Sequence, residues 1–157
     1  MSRHKSRGWR GQYDRVKRWH RLVQEIGKQR TTATDTEQQH DFLYAFFQNC
    51  CHLREWLENS GAIGVQPLQE FFREHPPMQL CRDICNGTKH WDIDRPSIDA
   101  HFKIGREYVP SSQSGDRPQI NETWFIVSAG LRYDLFELAD SCVHLWDAFL
   151  KDNGLLR

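Results

Sequence analysis

A chain of 157 residues, 38% of them hydrophobic, is long enough for one domain with a substantial core. No apolar run approaches the roughly 20 residues of a membrane-spanning helix, and no apolar segment follows the basic N-terminus as in a secretory leader. A cytoplasmic location is therefore the expectation, with no membrane partner. The 21 basic and 21 acidic residues balance but are segregated: residues 1–30 hold ten Lys and Arg against Asp14 and Glu25, a net +8, and the rest of the chain carries the compensating −8. Such asymmetry points to an anionic partner, or to docking of the basic segment on the acidic body of its own chain.

In chain order, residues 1–8 read as a basic, disordered arm, and residues 9–157 as a single helical domain. Trp9, Tyr13, Val16, Trp19, Val23 and Ile26 recur at spacings of three and four, which predicts a helix with one buried stripe. Its other face holds Arg10, Lys17, Arg18 and Arg21. These cations either contact the phosphates of a nucleic acid or form the solvated back of a packing helix.

Thr34 or Asp35 is a candidate N-cap for a long helix ending near Asn59. Its apolar positions (Phe42, Leu43, Phe46, Phe47, Cys50, Leu53, Trp56 and Leu57 among them) cover more than a surface stripe, so this helix is expected to be central. It nevertheless keeps Gln48, His52 and Glu55 in register. A short helix follows from Gln66 to about Glu74, with Pro67 in its first turn. Pro76-Pro77 ends it and launches the next.

That next helix, Leu80–Trp91, carries two different faces. Leu80, Cys81, Ile84, Cys85 and Thr88 form the apolar one; Asp83, Asn86 and His90 form a polar stripe flanked by Arg82 and Lys89. Beyond it the texture changes. Alternation over 101–109 and the aromatic and β-branched run 122–129 predict a β-hairpin at about 101–129, inserted before the last helix. Gly130 to Asp134 reads as a turn, and a final helix is expected from about Tyr133 to Asp152, stopped by Asn153-Gly154. The fold class is thus mainly α, a bundle of four or five helices with an inserted β-hairpin.

Three kinds of chemistry compete for these residues. If the second long helix and the Leu80–Trp91 helix are antiparallel neighbours, His52, Glu55, Asp83, Asn86 and His90 share a crevice able to support acid/base chemistry, with Arg82 and Lys89 to hold an anion. The bland alternative is a polar network that fixes helix register. Cys81 and Cys85, four apart, can reach one ion, with Cys50 and Cys51 nearby. Their spacing lacks the C-x2-C pattern of structural zinc and they fall on core faces, so neither a metal nor another cofactor is expected. Nucleophilic catalysis by cysteine lacks an exposed turn or helix N-terminus to favour a thiolate.

The segments Cys51-His52-Leu53-Arg54-Glu55-Trp56-Leu57 and Asp83-Ile84-Cys85-Asn86-x-x-Lys89-His90, with the last helix, resemble a group of small bacterial helical proteins. More distantly, the helical layout resembles the HEPN superfamily, many of whose members are RNases or RNA-binding partners in toxin–antitoxin and phage-defence systems. HEPN proteins carry an Arg and a His on one helix, four to six residues between them. Arg82-Asp83 and His90 echo that pair with seven residues between; Arg95 and His101 match the spacing, but Pro96 intervenes in a turn-rich segment.

The resemblance implies a metal-independent endoribonuclease or RNA-binding protein. His90 would act as general acid/base, and Arg82 and Lys89 would contact phosphate. Asn86, Asp83, His52 and Glu55 would orient the site, and a homodimer would bring two sites together. The competing reading is a non-enzymatic interaction module whose basic N-terminal arm binds nucleic acid or another partner.

Overall fold

The computed structural model describes residues 8–28, 36–89, 103–110 and 120–157. The basic arm up to residue 7, the Thr34 and Asp35 caps, and the segment from His90 to Phe102 lie outside them, as does the tip of the hairpin. Among the described residues, five helices and three strands run in the order α1 (Gly8–Lys28), α2 (Thr36–Ser60), α3 (Val65–Glu74), α4 (Pro76–Lys89), β1 (Lys103–Pro110), β2 (Ile120–Ser128), β3 (Leu131–Asp134) and α5 (Leu135–Asp152). The protein is mainly α, as expected, with the hairpin ahead of the last helix.

The long helix α2 is central: it packs against α1, α4 and α5. Its width of apolar surface is the cause, since Leu43, Phe46, Phe47, Cys50, Leu53 and Leu57 are all fully buried and no single neighbour can cover so wide a stripe. Helix α1 buries Trp9, Val16, Val23 and Ile26 at the predicted spacing. It also buries Gln12 and His20, two polar residues the apolar pattern passes over. Gln12 Nε2 donates to the Asn49 carbonyl of α2 at 2.9 Å, and His20 Nε2 lies 2.5 Å from Asp140 Oδ1 of α5. Buried polar groups are tolerated when they find such partners.

At the far side of the bundle, α3 brings Phe71 and Phe72 against Trp146 of α5, with ring centroids 4.8 and 5.8 Å away. Phe149 stacks on Phe71 at 4.3 Å. Such aromatic pairs add to the burial of their large surfaces.

Helix α5 is closed at both ends by local chemistry. Asp134 Oδ1 accepts from the backbone N–H groups of Phe136 (2.8 Å) and Glu137 (3.1 Å), an N-cap. Gly154 takes φ of 71°, and the Leu155 N–H reaches the Leu150 carbonyl at 2.8 Å while Gly154 N–H reaches Lys151. That is the Schellman arrangement, and glycine adopts its left-handed residue without strain.

The sheet has the order β1-β2-β3, antiparallel throughout. Two expectations are corrected here. Residues 131–134, read as a turn, form the third strand, and α5 begins at Leu135 rather than Tyr133. The turn itself is only Ala129-Gly130, both at positive φ (50° and 76°), and Ser128 pairs directly with Leu131. Two central residues of this hand match the twist of the flanking strands. Ile126 anchors the sheet in the core, fully buried, and α5 packs on β2 and β3.

Candidate functional site

Helix α1 divides its charges between two tasks. One edge docks on α5. Lys17 Nζ donates to Asp147 Oδ2 at 3.0 Å, and the Tyr13 hydroxyl donates to Asp147 Oδ1 at 2.5 Å. Burial, and then this bond and the charge of Asp147, push the Tyr13 phenol well above its ordinary range, so it stays a donor. With His20 against Asp140, these pairs join the basic N-terminal helix to the acidic last one. Asp140 and Asp147 of α5 thus both reach across to α1. The outer edge is different: Arg10, Arg15, Arg18 and Arg21 are exposed. The Arg10 guanidinium lies over the Trp9 ring, 4.5 Å from its centroid, which steers its charge by cation–π attraction.

At the N-terminal end of this edge is a concave site of about 270 Å³ lined by Gly8, Gly11, Gln12, Asp14, Arg15, Arg18 and Trp56. Two glycines carry no side chain and leave the helix surface low. Gln12 accepts from Arg15 Nη1 at 2.8 Å and so orients that guanidinium. The half-buried Trp56 of α2 supplies the apolar wall. The cleft thus joins two exposed cations, one carboxylate and one indole. The sequence reading placed Trp56 among core residues and left out Arg15; the signal was present in Gly8, Gly11, Arg15 and Arg18, which recur at spacings of three and four. A second concavity of about 320 Å³ lies between Val23, Gln24, Gly27 and Lys28 of α1 and Phe136 and Asp140 of α5.

The other predicted site, where α2 meets α4, is partly described. The two helices do pack on each other, and Cys85 Sγ lies 4.0 Å from His52 Nε2 across the interface. His52, Asn86 and Arg82 are half-buried, and Glu55 is exposed. Asp83 is fully buried, a correction to the exposed polar stripe read from the sequence: α4 is covered over a wider arc than its apolar residues alone predict. The Lys89 side chain and the whole of His90, the expected general acid/base, lie outside the described residues. Arg54 makes an i,i+4 ion pair with Glu58 at 2.9 Å and lies over Phe72, a packing role.

All five cysteines fall in this inner region, as free thiols. Cys51, on the half-buried side, is held protonated by its hydrogen bond with Cys85 and by burial. Deeper in, Cys50 of α2, Cys81 of α4 and Cys142 of α5 are fully buried, and their sulfurs all lie within 4.8 Å of one another. Cys81 Sγ donates to the Phe47 carbonyl at 3.6 Å and Cys142 Sγ to the Pro77 carbonyl at 3.4 Å. Burial pushes all three thiols up. In Cys50 the hydrogen bonds from Cys142 and Cys81 outweigh burial and bring it below its ordinary value, while Cys81 and Cys142 stay well above theirs. The cluster behaves as one unit in which a first proton leaves more readily than the others. Sequence spacing suggested Cys81 with Cys85; the fold instead pairs Cys81 with Cys142, 61 positions away, and no local motif carries that signal.

No helix among the described residues is long and apolar enough to cross a membrane. Comparison with protein-family models, with curated proteins and with solved structures found no match.

Proposed function

We propose that the protein is a nucleic-acid-binding helical module, with single-stranded RNA as its expected ligand and the outer edge of α1 as its contact surface. Arg10, Arg18 and Arg21 contact phosphates, and the cleft of Arg15, Arg18 and Trp56 holds one phosphate beside one base. The observation that carries this reading is the division of labour on α1. Lys17 and His20 are used up in docking to α5, yet four arginines on the same helix stay exposed. The cleft that sets Trp56 beside Arg15 and Arg18 adds to these cations an aromatic wall that the solvated back of a packing helix does not need. Asp14 in the cleft wall opposes a dense run of phosphates and favours a single strand that can place a base there. Base–aromatic stacking of this kind is worth about 1–3 kcal/mol per base.

The test is fluorescence anisotropy of a labelled single-stranded RNA with the full chain. Trp56→Ala should weaken binding by roughly tenfold or more, and Arg15→Gln with Arg18→Gln should weaken it further, with circular dichroism unchanged. RNA binding that is indifferent to all three substitutions sinks the proposal.

A metal-independent endoribonuclease centred on His90 is the second reading. The His52–Cys85 contact favours it, because it sets the His52 stripe of α2 against the helix that leads into His90. Cleavage of RNA that persists in EDTA and disappears in His90→Ala would support it; RNA left intact by the wild-type chain would end it.

A further inference from the structure

We propose that Cys50, Cys81 and Cys142 form a buried three-sulfur site for a soft monovalent metal ion, copper(I). The three residues come from three different helices, α2, α4 and α5, and all are fully buried. Their sulfurs already lie within 4.8 Å of one another. An ion bound to three sulfurs at about 2.3 Å in a plane needs them about 4.0 Å apart, so closure asks for less than an ångström of movement. Rotation of side chains now directed at the Phe47 and Pro77 carbonyls supplies it.

The kind of ion follows from the donors. Thiolate sulfur is a soft ligand and selects soft ions such as copper(I) and zinc(II). Zinc in a structural site takes four ligands. Here three cysteine sulfurs lie within 4.8 Å of one another, and no His, Asp, Glu or further Cys among the described residues joins them at that distance, while full burial keeps water from completing the set. Copper(I) is content with three. Binding releases the protons of the thiols that become thiolates, with no change in oxidation state. The ion would join α2, α4 and α5 at one point, so it would stabilise the inner half of the bundle. Entry needs a local opening of these helices, which makes loading slow.

The experiment uses the full chain, reduced and without oxygen, titrated with copper(I) against a coloured copper(I) chelator. One copper per chain is expected, with three sulfur neighbours by X-ray absorption and a raised Tm. The double variant Cys51→Ala/Cys85→Ala is the deciding control. It leaves Cys50, Cys81 and Cys142 as the only cysteines of the chain's five. The chain's other sulfurs are the thioethers of Met1 and Met78, which also suit copper(I), so the double variant is measured again with Met78→Leu added; three sulfurs retained there come from Cys50, Cys81 and Cys142. Cys142→Ala, if folded by circular dichroism, should lose the site; if it does not fold, the double variant and the wild-type chain still decide. Copper that stays with the chelator overturns the proposal. So does copper lost from the double variant, or copper displaced by an equal concentration of zinc.

Discussion

The outer edge of α1 and the inner seam of α2, α4 and α5 are built from the same helical periodicity and end in opposite chemistry. The edge of α1 keeps its guanidinium groups in water, where long-range attraction to phosphate costs little desolvation. The seam removes four thiols (Cys50, Cys81, Cys85 and Cys142) and one carboxylate, Asp83, from the surface. There, contact geometry decides everything and long-range charge decides little. The difference teaches that net charge, zero for this chain, says nothing about what either region can bind. Location does.

The comparison can be broken most severely from the inside. Trp146→Ala removes the indole on which Phe71 and Phe72 pack and should cost about 3–5 kcal/mol of stability in denaturant unfolding. A cost under about 1 kcal/mol would mean that the aromatic cluster is not the anchor of α3 and α5.

A smaller effect is expected at the boundary between the sheet and α5. Asp134→Ala removes the N-cap of α5 and should cost about 1 kcal/mol, whereas Asp134→Asn should recover most of it. Equal losses for both would refute the capping role.

The smallest effect is a pH dependence. His40 packs its ring between Tyr44 and Trp124, at 3.8 and 4.8 Å. Burial lowers its pKa, partly opposed by the charge of Asp41. A histidine lowered on folding binds its proton more readily when unfolded. Its contribution is therefore present above the unfolded value of about 6.5 and is lost as the pH falls through that value towards the folded one. Tm should fall on acidification from pH 7 to 5, and His40→Phe should flatten part of that fall. An unchanged profile in the variant would assign the dependence to other groups.

Much of the fold is legible in the sequence because local rules carry it. The stripe Trp9–Val16–Val23–Ile26 becomes the buried face of α1, and Asn153-Gly154 stops α5. What the sequence hides is set by neighbours. Gln12 and His20 interrupt the apolar pattern, and only Asn49 and Asp140 explain their burial. Leu131–Asp134 is too short for alternation to show, so β3 reads as a turn. Asp83 sits on a polar stripe by spacing and in the core by packing. The cysteine cluster joins positions 50, 81 and 142, which no window along the chain connects. The arginine edge of α1 was visible from the start; its cleft was not, because Trp56 arrives from α2.

The most direct test of the account is the salt dependence of RNA binding by the wild-type chain and by Arg10→Gln/Arg18→Gln/Arg21→Gln. For a single strand each phosphate contact contributes about 0.7 to the slope of log Kobs against log[salt]. Loss of three contacts should make the slope shallower by about 2, with affinity reduced and Tm unchanged. An identical slope for the two proteins would show that the exposed edge of α1 does not meet the nucleic acid.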